Sequence, residues 1–257
     1  MKIRTVKATR YVTPLREGGS LPAIIEANDD GMYVLKFRGA GQGTKALIAE
    51  LLAGELARAI NLPVPEIVFV ELDPELARSE PDPEIQDLIR ASAGLNLALD
   101  YLPGSAAFDP VVEKVDNDLA SSIVWFDAYI TNVDRTPRNT NMLIWHKRLH
   151  LIDHGAAFYF HHKWDNFLEK TGDRFPHIKD HVLLPFADSL TEADEKISSQ
   201  ITQDLLSKIV KLIPDAWLEN ENYFSSVEEY RNAYVEYLTK RNQSPRLFIQ
   251  EAINAKS

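Results

Sequence analysis

Residues 132–155, NVDRTPRNTNMLIWHKRLHLIDHG, set polar side chains on both sides of two short apolar runs. The runs at 142–145 and 149–152 have the composition of strands, and the short polar link between them indicates a β-hairpin. Burial of the apolar residues would hold both polar ends at one edge of a sheet. Carboxylates and amides fixed in this way are typical of a chemical site, whereas ordinary turn residues are solvated.

Length and composition are those of an ordinary globular protein. The 257 residues correspond to one large domain or two small ones. No run of about 18 apolar residues is present, so we expect no membrane span. The first residues, MKIRTVK, lack the apolar core of a signal peptide, and we expect a cytoplasmic location. The absence of cysteine excludes disulfides, thiolate catalysis and cysteine-based zinc sites.

The charge balance is acidic, since 28 Lys and Arg against 38 Asp and Glu give a net charge of −10. Attraction to phosphate backbones or anionic lipids needs a basic surface, so we expect no direct nucleic-acid or membrane binding. A local basic pocket for a small phosphate ligand is compatible with this balance. The candidate cations for such a pocket are Lys36, Arg38, Lys45, Arg135 and Arg138.

The amino-terminal part of the chain is predicted to be a small β-sheet crossed by one helix. Runs rich in β-branched and aromatic residues are separated by the turn sequences REGGS and NDDG. The stretch RGAGQGT lacks the ending of a phosphate-binding P-loop, which makes it a linker. Strands are predicted at 5–13, 22–27, 31–37, 66–72 and 95–104, and helices at 45–61 and 81–94.

The rest of the chain is predicted to be mostly helical around the hairpin. Helices are predicted at 116–131, 191–212, 227–241 and 245–255. The fold class is therefore α+β, with a β-rich lobe at 1–104 and an α-rich lobe at 105–257. The space between two such lobes is a common place for a ligand.

Four side chains around the hairpin supply parts of a phosphoryl-transfer site. A carboxylate next to a substrate hydroxyl can orient it and accept its proton. A second carboxylate and an amide oxygen are hard ligands that can hold Mg²⁺ against nucleotide phosphates. Asp134, Asn139, Asn141 and Asp153 meet these requirements, and the hairpin would bring residues 134 and 153 together in space.

Phosphate charge also requires a cation, and Lys36 in the strand sequence YVLKF can supply it. Glu50 lies in the following helix, where its carboxylate could hold the lysine, and Glu55 in the same helix is its rival for that role. A strand lysine held by a helix glutamate is the arrangement that protein kinases place over nucleotide phosphates.

The stretch DRTPRNTNMLI…LHLIDHG resembles the catalytic and metal-binding loops of the protein-kinase-like superfamily, and the whole chain looks most like the HipA-like kinases. Two further segments carry the resemblance, AELLAGELARAINLPVPEI at 49–67 and LIPDAWL at 212–218, and together the similarity covers roughly residues 10–220. It implies a bilobal kinase fold with ATP and Mg²⁺ as ligands. It also implies transfer of the γ-phosphoryl group to a Ser/Thr or another hydroxyl, on a protein or a small molecule, and an antitoxin-like partner on a separate chain.

The resemblance assigns roles to individual residues. Asp134 would be the catalytic carboxylate, and Asp153 the metal ligand of a DFG-type loop in which His154 stands in the Phe position. Lys36 would contact the phosphates with Glu50 as its partner. The resemblance also places a glycine-rich nucleotide cover at Gly18, Gly19 and Ser20, and a hinge past the adenine at Ala98, Leu99, Asp100 and Tyr101.

One spacing departs from the family pattern, in which a single Asn has both the spacing after the catalytic Asp and the position before an apolar strand. Here Asn139 has the spacing and Asn141 has the position. Asn141 is slightly favoured as the metal ligand because strand register fixes its direction. The longer loop could also let Arg138 reach the γ-phosphate.

Two other functions fit parts of the sequence. The seven histidines all lie between His146 and His181, and with Asp153 and Asp165 they could form a Zn²⁺ or Mn²⁺ hydrolase site, although no helical HExxH motif is present. His154 in the Phe position and the long loop would also fit a nucleotide-binding pseudokinase or toxin–antitoxin-type module without turnover. In an active kinase, Ser20 would be a candidate for autophosphorylation.

Overall fold

The computed structural model describes residues 2–15, 21–219 and 222–256. The first sheet contains β1 (Thr5–Pro14), β2 (Ala23–Ala27), β3 (Met32–Lys36), β4 (Ile67–Leu72) and β5 (Gly94–Asp100). These strands form a closed barrel in the order β1-β2-β3-β5-β4. Neighbouring strands are antiparallel except β1 and β4, which run parallel.

The alternation of side chains along β3 decides where Lys36 points. Tyr33 and Leu35 belong to the apolar cluster that fills the barrel. Because successive strand residues face opposite sides of a sheet, Lys36 points out of the barrel. The face outside the barrel at this position is covered by the helix that follows β3.

That helix, α1 (Thr44–Ala59), begins after Gly43, whose φ of 64° few other residues adopt without strain. Its packing on the barrel is close, since a Cβ at Gly54 would lie 2.3 Å from Cδ1 of Ile67 at the start of β4. The helix is buried along most of its length, and this includes Leu47, Ile48, Glu50, Leu51, Leu52 and Leu56. A charged residue therefore lies inside an apolar helix surface and requires a partner.

The predicted hairpin is present as β7 (Met142–Trp145) and β8 (Arg148–Leu151). A short strand β6 (Ala106–Ala107) pairs with β7 and completes a second sheet in the order β6-β7-β8. The N–H of Leu151 donates to the carbonyl of Pro63, just after α1, at 2.7 Å. The hairpin is thus attached to the segment that joins α1 to the barrel.

Further helices follow α1 along the chain, and the first of them packs on the apolar cluster of the barrel. They are α2 (Pro83–Ala91), α3 (Asn117–Ile130), α4 (Leu190–Gln200), α5 (Gln203–Val210), α6 (Val227–Arg241) and α7 (Leu247–Lys256). Short 3₁₀ helices lie at Pro74–Ser79, Tyr159–His162, Glu169–Gly172, Pro176–Asp180, Leu184–Phe186 and Asp215–Trp217. Within the described ranges, no helix has the length and hydropathy that a membrane span requires.

The single helix predicted at 191–212 is wrong, because the chain breaks between α4 and α5. Thr202 has an extended backbone, and its side chain accepts a hydrogen bond from the N–H of Leu205. A threonine that caps a new helix competes with continuation of the old one. The sequence Ile201-Thr202-Gln203-Asp204 is therefore a start signal for a helix inside an otherwise continuous apolar pattern.

Helix α6 holds the segment that follows the hairpin. Phe160 stacks on Tyr237 with ring centroids 3.5 Å apart, and Nδ1 of His161 lies 2.9 Å from the hydroxyl of Tyr234. Arg241 donates to the carbonyls of Thr171 and Asp173. The helices near the carboxyl end thus fix the path of the chain after residue 155.

One large apolar cluster connects α1, α3, the hairpin and the helices up to α7. Each large side chain that is fully buried in it contributes roughly 1.5–3 kcal/mol to stability. The chain leaves the barrel at Asp100 and enters the second sheet at Ala106. The lobe boundary that we propose at residue 104 lies in this connection.

Candidate active site

Lys36, Glu50 and Asp153 meet at one point between the barrel and the hairpin. Nζ of Lys36 lies 2.6 Å from Oε2 of Glu50 and 2.5 Å from Oδ1 of Asp153. The end of β3 supplies the lysine, α1 the glutamate and the loop after β8 the aspartate. The fold therefore brings together three predicted site residues that are 14 and 117 positions apart in the sequence.

Burial and pairing set the charges of these groups. Burial acts to raise the pKa of Glu50, but Lys36 and His154 lower it to about 2. Burial acts to lower the pKa of Lys36, yet the two carboxylates raise it above its ordinary value. Both groups are charged at neutral pH. The side chain of Lys36 is 13% exposed and that of Asp153 is 44% exposed, so the contact opens to solvent on the aspartate side.

His154 completes what we call the Glu50 cluster, which consists of Lys36, Glu50, Asp153 and His154. Its imidazole is fully buried, and its backbone N–H donates to Glu50 Oε2 at 2.8 Å. Its Nδ1 lies 3.3 Å from Glu50 Oε1. The two oxygens of one buried carboxylate are thus held by residues on both sides of the gap between the barrel and the hairpin.

Asp134 lies at the other end of the hairpin and contacts both candidate asparagines. Nδ2 of Asn139 donates to Oδ2 of Asp134 at 3.0 Å. Nδ2 of Asn141 lies 3.4 Å from the same oxygen and 3.3 Å from the backbone carbonyl of Asp134. The N–H of Asp134 donates to Oδ1 of Asn132 at 3.2 Å. Asp134 is half-buried, which leaves its carboxylate within reach of a ligand.

A tight turn accommodates the additional residues between Asp134 and the first hairpin strand. Thr136 and Asn139 exchange two backbone hydrogen bonds of 2.9 and 3.1 Å around Pro137 and Arg138. Proline at the second position is typical of such turns. The turn projects from the loop and leaves Arg138 exposed at its tip.

Asn141 lies next to the loop that carries Asp153 in the strand register. The N–H of Ile152 donates to the Asn141 carbonyl at 3.0 Å, which extends the β7–β8 pairing by one step toward Asp153. The same carbonyl accepts a hydrogen bond from Arg135. Asn141 and Asp153 have φ values of 48° and 56°, in the left-handed region that Asn and Asp enter most readily after glycine. Both backbones are thus fixed side by side, whereas Asn139 is exposed on the turn.

A second buried group, the Asp127 cluster, lies beneath the loop that carries Asp134. Asp127 in α3 accepts hydrogen bonds from Arg135 Nε at 2.6 Å, His181 Nε2 at 2.9 Å and Asn132 Nδ2 at 2.9 Å. Nδ1 of His181 accepts from the N–H of Leu183, which makes Nε2 the donor to Asp127. Asp127 therefore fixes the residues on both sides of Asp134 along the chain.

Charge in the Asp127 cluster is held by pairing in a closed environment. Burial acts to raise the pKa of Asp127, but Arg135 and His181 lower it well below its ordinary value. Burial lowers the pKa of His181, even though its hydrogen bond to Asp127 acts to raise it. The side chain of Arg135 is 0% exposed, so it is not available to a phosphate ligand.

Sequence reasoning missed the Asp127 cluster, although α3 carries a signal for it. Asp127 stands in the sequence IVWFDAYI, where the neighbouring positions are apolar and buried. An aspartate in such a surface must be paired, and a nearby arginine is the natural partner. The prediction of Arg135 as a candidate phosphate ligand is wrong, because its side chain is buried against Asp127.

The other predicted site residues have different surroundings. Ala98, Leu99 and Asp100 lie in β5, which is paired on both sides in the barrel. The N–H of Asp100 donates to the carbonyl of Glu66, and that of Tyr101 donates to the carbonyl of Met32. These two donors are therefore occupied by the barrel itself. Gly18, Gly19 and Ser20 lie outside the described residues.

The donor atoms at the hairpin end fit a magnesium ion. Nδ2 of Asn141 faces Asp134, which leaves its Oδ1 for another partner. Lys36 holds Oδ1 of Asp153, and in the described part of the chain no hydrogen bond engages Oδ2. Carboxylate and amide oxygens are the ligands that Mg²⁺ takes, and the ion usually completes its shell with water and phosphate oxygens.

The histidines have separate surroundings. His154 and His181 belong to different buried clusters, and His161 bonds Tyr234. Across residues 2–15, 21–219 and 222–256, no three His, Asp or Glu side chains are grouped so that they could hold a metal ion. The described residues therefore contain no group of ligands for the alternative function, a His–Asp metal hydrolase.

Comparison with protein families gives one match that spans nearly the whole chain. The model of a family described as HipA-like kinase matches residues 9–249. The match extends beyond residue 220, where the resemblance was expected to end, and it includes α6 and part of α7. No curated protein matches the chain.

Two solved kinase structures are similar in fold. The Helicobacter pylori proinflammatory kinase CtkA aligns with a TM-score of 0.57 and 12% identity, over 99% of this chain and 98% of that one. The Golgi casein kinase aligns with a TM-score of 0.50 and 11% identity, over 98% of this chain and 73% of that one. At these identities the likeness concerns the fold alone. The α+β architecture, with a β-rich barrel and an α-rich part around the hairpin, is kinase-like.

Proposed function

The chain belongs to the HipA-like kinase family, and from this premise we propose that it transfers the γ-phosphoryl group of ATP, with Mg²⁺, to a Ser/Thr or another hydroxyl acceptor. The observation that carries the proposal is the contact of Lys36 with both Glu50 and Asp153. In the kinase arrangement a lysine held by a helix glutamate contacts the nucleotide phosphates, and the aspartate after the hairpin binds the metal.

Lys36 is suited to a phosphate ligand because its present partners differ in exposure. Glu50 is fully buried and stays with the lysine, whereas Asp153 is partly exposed. A phosphate oxygen can replace Asp153 at the ammonium, and Asp153 is then free for a metal ion. A preorganised cation in a partly desolvated site stabilises the charge of the transferring group more strongly than one in water.

We assign the metal to Asp153 and Asn141, whose backbones lie side by side at the hairpin end. Asn139 is the weaker candidate because it lies on the exposed turn. When bound, Mg²⁺ neutralises phosphate charge. Arg138 at the turn tip remains a candidate contact for the γ-phosphate.

Asp134 is the residue that we propose for the acceptor hydroxyl. A carboxylate within hydrogen-bond reach orients the hydroxyl and can take its proton. Asn132 and Asn139 hold the aspartate through its N–H and its carboxylate. The position of the acceptor relative to the phosphate is therefore set by the Asp127 cluster beneath the loop.

The adenine contact is proposed for the chain that follows β5. The N–H groups of Asp100 and Tyr101 donate inside the barrel, so backbone N–H contacts with the base would come from Leu102 or Gly104, since Pro103 has no N–H. The glycine-rich cover at Gly18, Gly19 and Ser20 remains part of the proposal.

Incubation with γ-labelled ATP and Mg²⁺, followed by mass spectrometry of the protein and of an added cell lysate, tests the proposed reaction. We expect label on a hydroxyl of a lysate protein, a small molecule or the chain itself. Asp134→Ala should still bind ATP but lose transfer by roughly 10²- to 10⁴-fold, the usual contribution of such a group. Asp165→Ala removes an exposed carboxylate outside the site and should transfer at the wild-type rate.

Two results would overturn the proposal. A chain that binds ATP but labels no acceptor, itself included, is a nucleotide-binding module without turnover. Transfer that survives Asp134→Ala at the wild-type rate removes the role assigned to that carboxylate. A separate antitoxin-like chain, proposed from the family, would be recovered from the same lysate as a bound protein.

A further inference from the structure

The imidazole of His154 makes its polar contact through one ring nitrogen, Nδ1. Nδ1 lies 3.3 Å from Glu50 Oε1, and because an ionised carboxylate can only accept hydrogen bonds, Nδ1 is the donor. In the described part of the chain, Nε2 has no hydrogen-bond partner. The polar contact of this buried ring is therefore directed entirely to the carboxylate of α1.

The backbone of His154 reinforces this contact. Its N–H donates to Glu50 Oε2 at 2.8 Å, and the same oxygen accepts from Lys36 Nζ at 2.6 Å. Lys36 in turn contacts Asp153, the residue that precedes His154. The four residues of the Glu50 cluster thus form a closed ring of contacts, of which the covalent step from Asp153 to His154 is one side.

A closed ring couples the elements that carry its members. An outward shift of α1 would separate Glu50 from Lys36 and from His154 at the same time. A shift of the loop after β8 would break the contacts of both Asp153 and His154. Neither element can leave its position without loss of contacts that the other one needs.

The hydrogen bond can be distinguished from simple packing. The His154 ring lies edge-on to Phe126, with centroids 6.3 Å apart and planes at 79°. A phenyl ring at position 154, the residue of the usual kinase motif, could keep this aromatic contact. It could not donate to Glu50.

We propose that His154 is a positioning residue that couples α1 to the metal-binding loop, so that Lys36 and Asp153 adopt their nucleotide-binding arrangement together. The inference rests on the proposed function, because that function gives Lys36 and Asp153 their ligands. The imidazole itself does not contact nucleotide. It acts through Glu50 and through the backbone of the loop.

Three variants test the coupling. His154→Phe keeps an aromatic ring and removes the donor, whereas His154→Asn restores a short donor near the position of Nδ1. His150→Phe is the matched control, since His150 lies in β8 and its imidazole contacts the carbonyl of Arg148 rather than the Glu50 cluster.

Amide hydrogen exchange of the protein without nucleotide gives a readout that does not depend on catalysis. We expect His154→Phe to raise exchange in α1 and in residues 152–158 together, by about tenfold or more, while the barrel strands exchange as in the wild type. His154→Asn should recover part of the protection, and His150→Phe should match the wild type. Faster exchange in only one of the two segments, or in neither, would overturn the coupling.

Kinetics give the second readout. In an active wild-type enzyme, His154→Phe should lower kcat/KM for ATP about tenfold, which corresponds to about 1.4 kcal/mol, with partial rescue by His154→Asn. A lower Tm with unchanged kcat and KM would show a purely structural role and overturn the inference. If the wild type neither binds nor uses ATP, the proposed function fails, and hydrogen exchange still decides whether His154 couples the two elements.

Discussion

The Glu50 and Asp127 clusters share a central arrangement but differ in their exposure to solvent. Each contains a fully buried carboxylate held by one basic side chain and one histidine. In the Asp127 cluster the side chains of Arg135 and His181 are 0% and 2% exposed. In the Glu50 cluster Lys36 is also held by Asp153, which is 44% exposed. One cluster is closed and the other is open to a ligand.

The difference in exposure distinguishes a cluster that supports a loop from a cluster that a ligand can reach. The partners of Asp127 lie 5, 8 and 54 positions away and hold the loop that carries Asp134. The side-chain partners of Glu50 lie 14 and 104 positions away and join the barrel to the hairpin. A closed buried pair is costly to break but does not exchange its partners. An open one can exchange Asp153 for a ligand.

The largest effect on stability is expected for Asp127→Asn. The substitution keeps the shape of the side chain but leaves Arg135 as a buried charge without its carboxylate. Loss of one partner from a buried pair costs about 3–5 kcal/mol. Urea denaturation of the variant should show this loss in the free energy of unfolding.

Asp118→Asn is the matched control, since Asp118 lies exposed in the first turn of the same helix. It should change the free energy of unfolding by less than about 1 kcal/mol. Equal losses for the two variants would mean that the Asp127 cluster is not the closed support described above.

A smaller effect is expected for Glu50→Gln. Lys36 keeps Asp153 as a partner, so no buried cation is left alone, and the loss comes mainly from one unsatisfied donor. We expect about 1–3 kcal/mol, measured in the same urea experiment. Glu55→Gln is the control within α1, because burial raises the pKa of Glu55, so its charge does not stabilise the fold and its removal should cause no comparable loss. A loss for Glu50→Gln larger than that for Asp127→Asn would reverse the comparison.

The pH dependence of stability should also distinguish the clusters. The folded pKa of His181 lies below its ordinary value of 6.5, so the unfolded chain binds a proton that the folded chain does not. The free energy of unfolding therefore keeps its full His181 contribution above about pH 6.5. Below that pH it falls by up to about 1.4 kcal/mol per pH unit. Glu50, in contrast, contributes its full share to the free energy of unfolding above pH 4.5, the ordinary pKa of a glutamate. This contribution is lost only as the pH falls toward the folded pKa of about 2.

His181→Gln keeps a donor for Asp127 but removes the titrating group. The decline in unfolding free energy between pH 6.5 and 5 should therefore become shallower, and the decline that remains comes in part from His161, whose pKa burial also lowers. His177→Gln, at an exposed position, should leave the profile unchanged. An unchanged profile in His181→Gln would contradict the expected direction.

The two clusters also differ in what the sequence allowed us to predict. Lys36 and Glu50 stand in a strand and the next helix, and their pairing follows from that order; the structure brings them into contact. His181 is 54 positions from Asp127 and follows a run of irregular chain, so no local pattern connects them. An aspartate among apolar positions in α3 indicates that a partner exists, but our sequence analysis did not draw this inference, and only the tertiary structure identifies His181 as one of the partners.

The composition of the turn at 136–139 could have predicted which of the two asparagines lies next to the strand. The sequence Thr136-Pro137-Arg138-Asn139 has the composition of a tight turn. Recognition of that turn would have placed Asn139 on a projection and Asn141 at the strand. Short strand patterns, in contrast, do not specify that β5 lies between β3 and β4 or that β1 and β4 close the barrel.

Calorimetric titration with ATP, with and without Mg²⁺, tests the central claim that the open cluster is a metal–nucleotide site. We expect the wild type to bind ATP more tightly when Mg²⁺ is present, and Asp153→Ala to lose that gain. Asn141→Ala should weaken Mg²⁺-dependent binding at least about tenfold, while Asn139→Ala stays within about twofold of the wild type. Wild-type binding that is absent or indifferent to Mg²⁺, or an Asp153→Ala variant with the full Mg²⁺ effect, would contradict the claim.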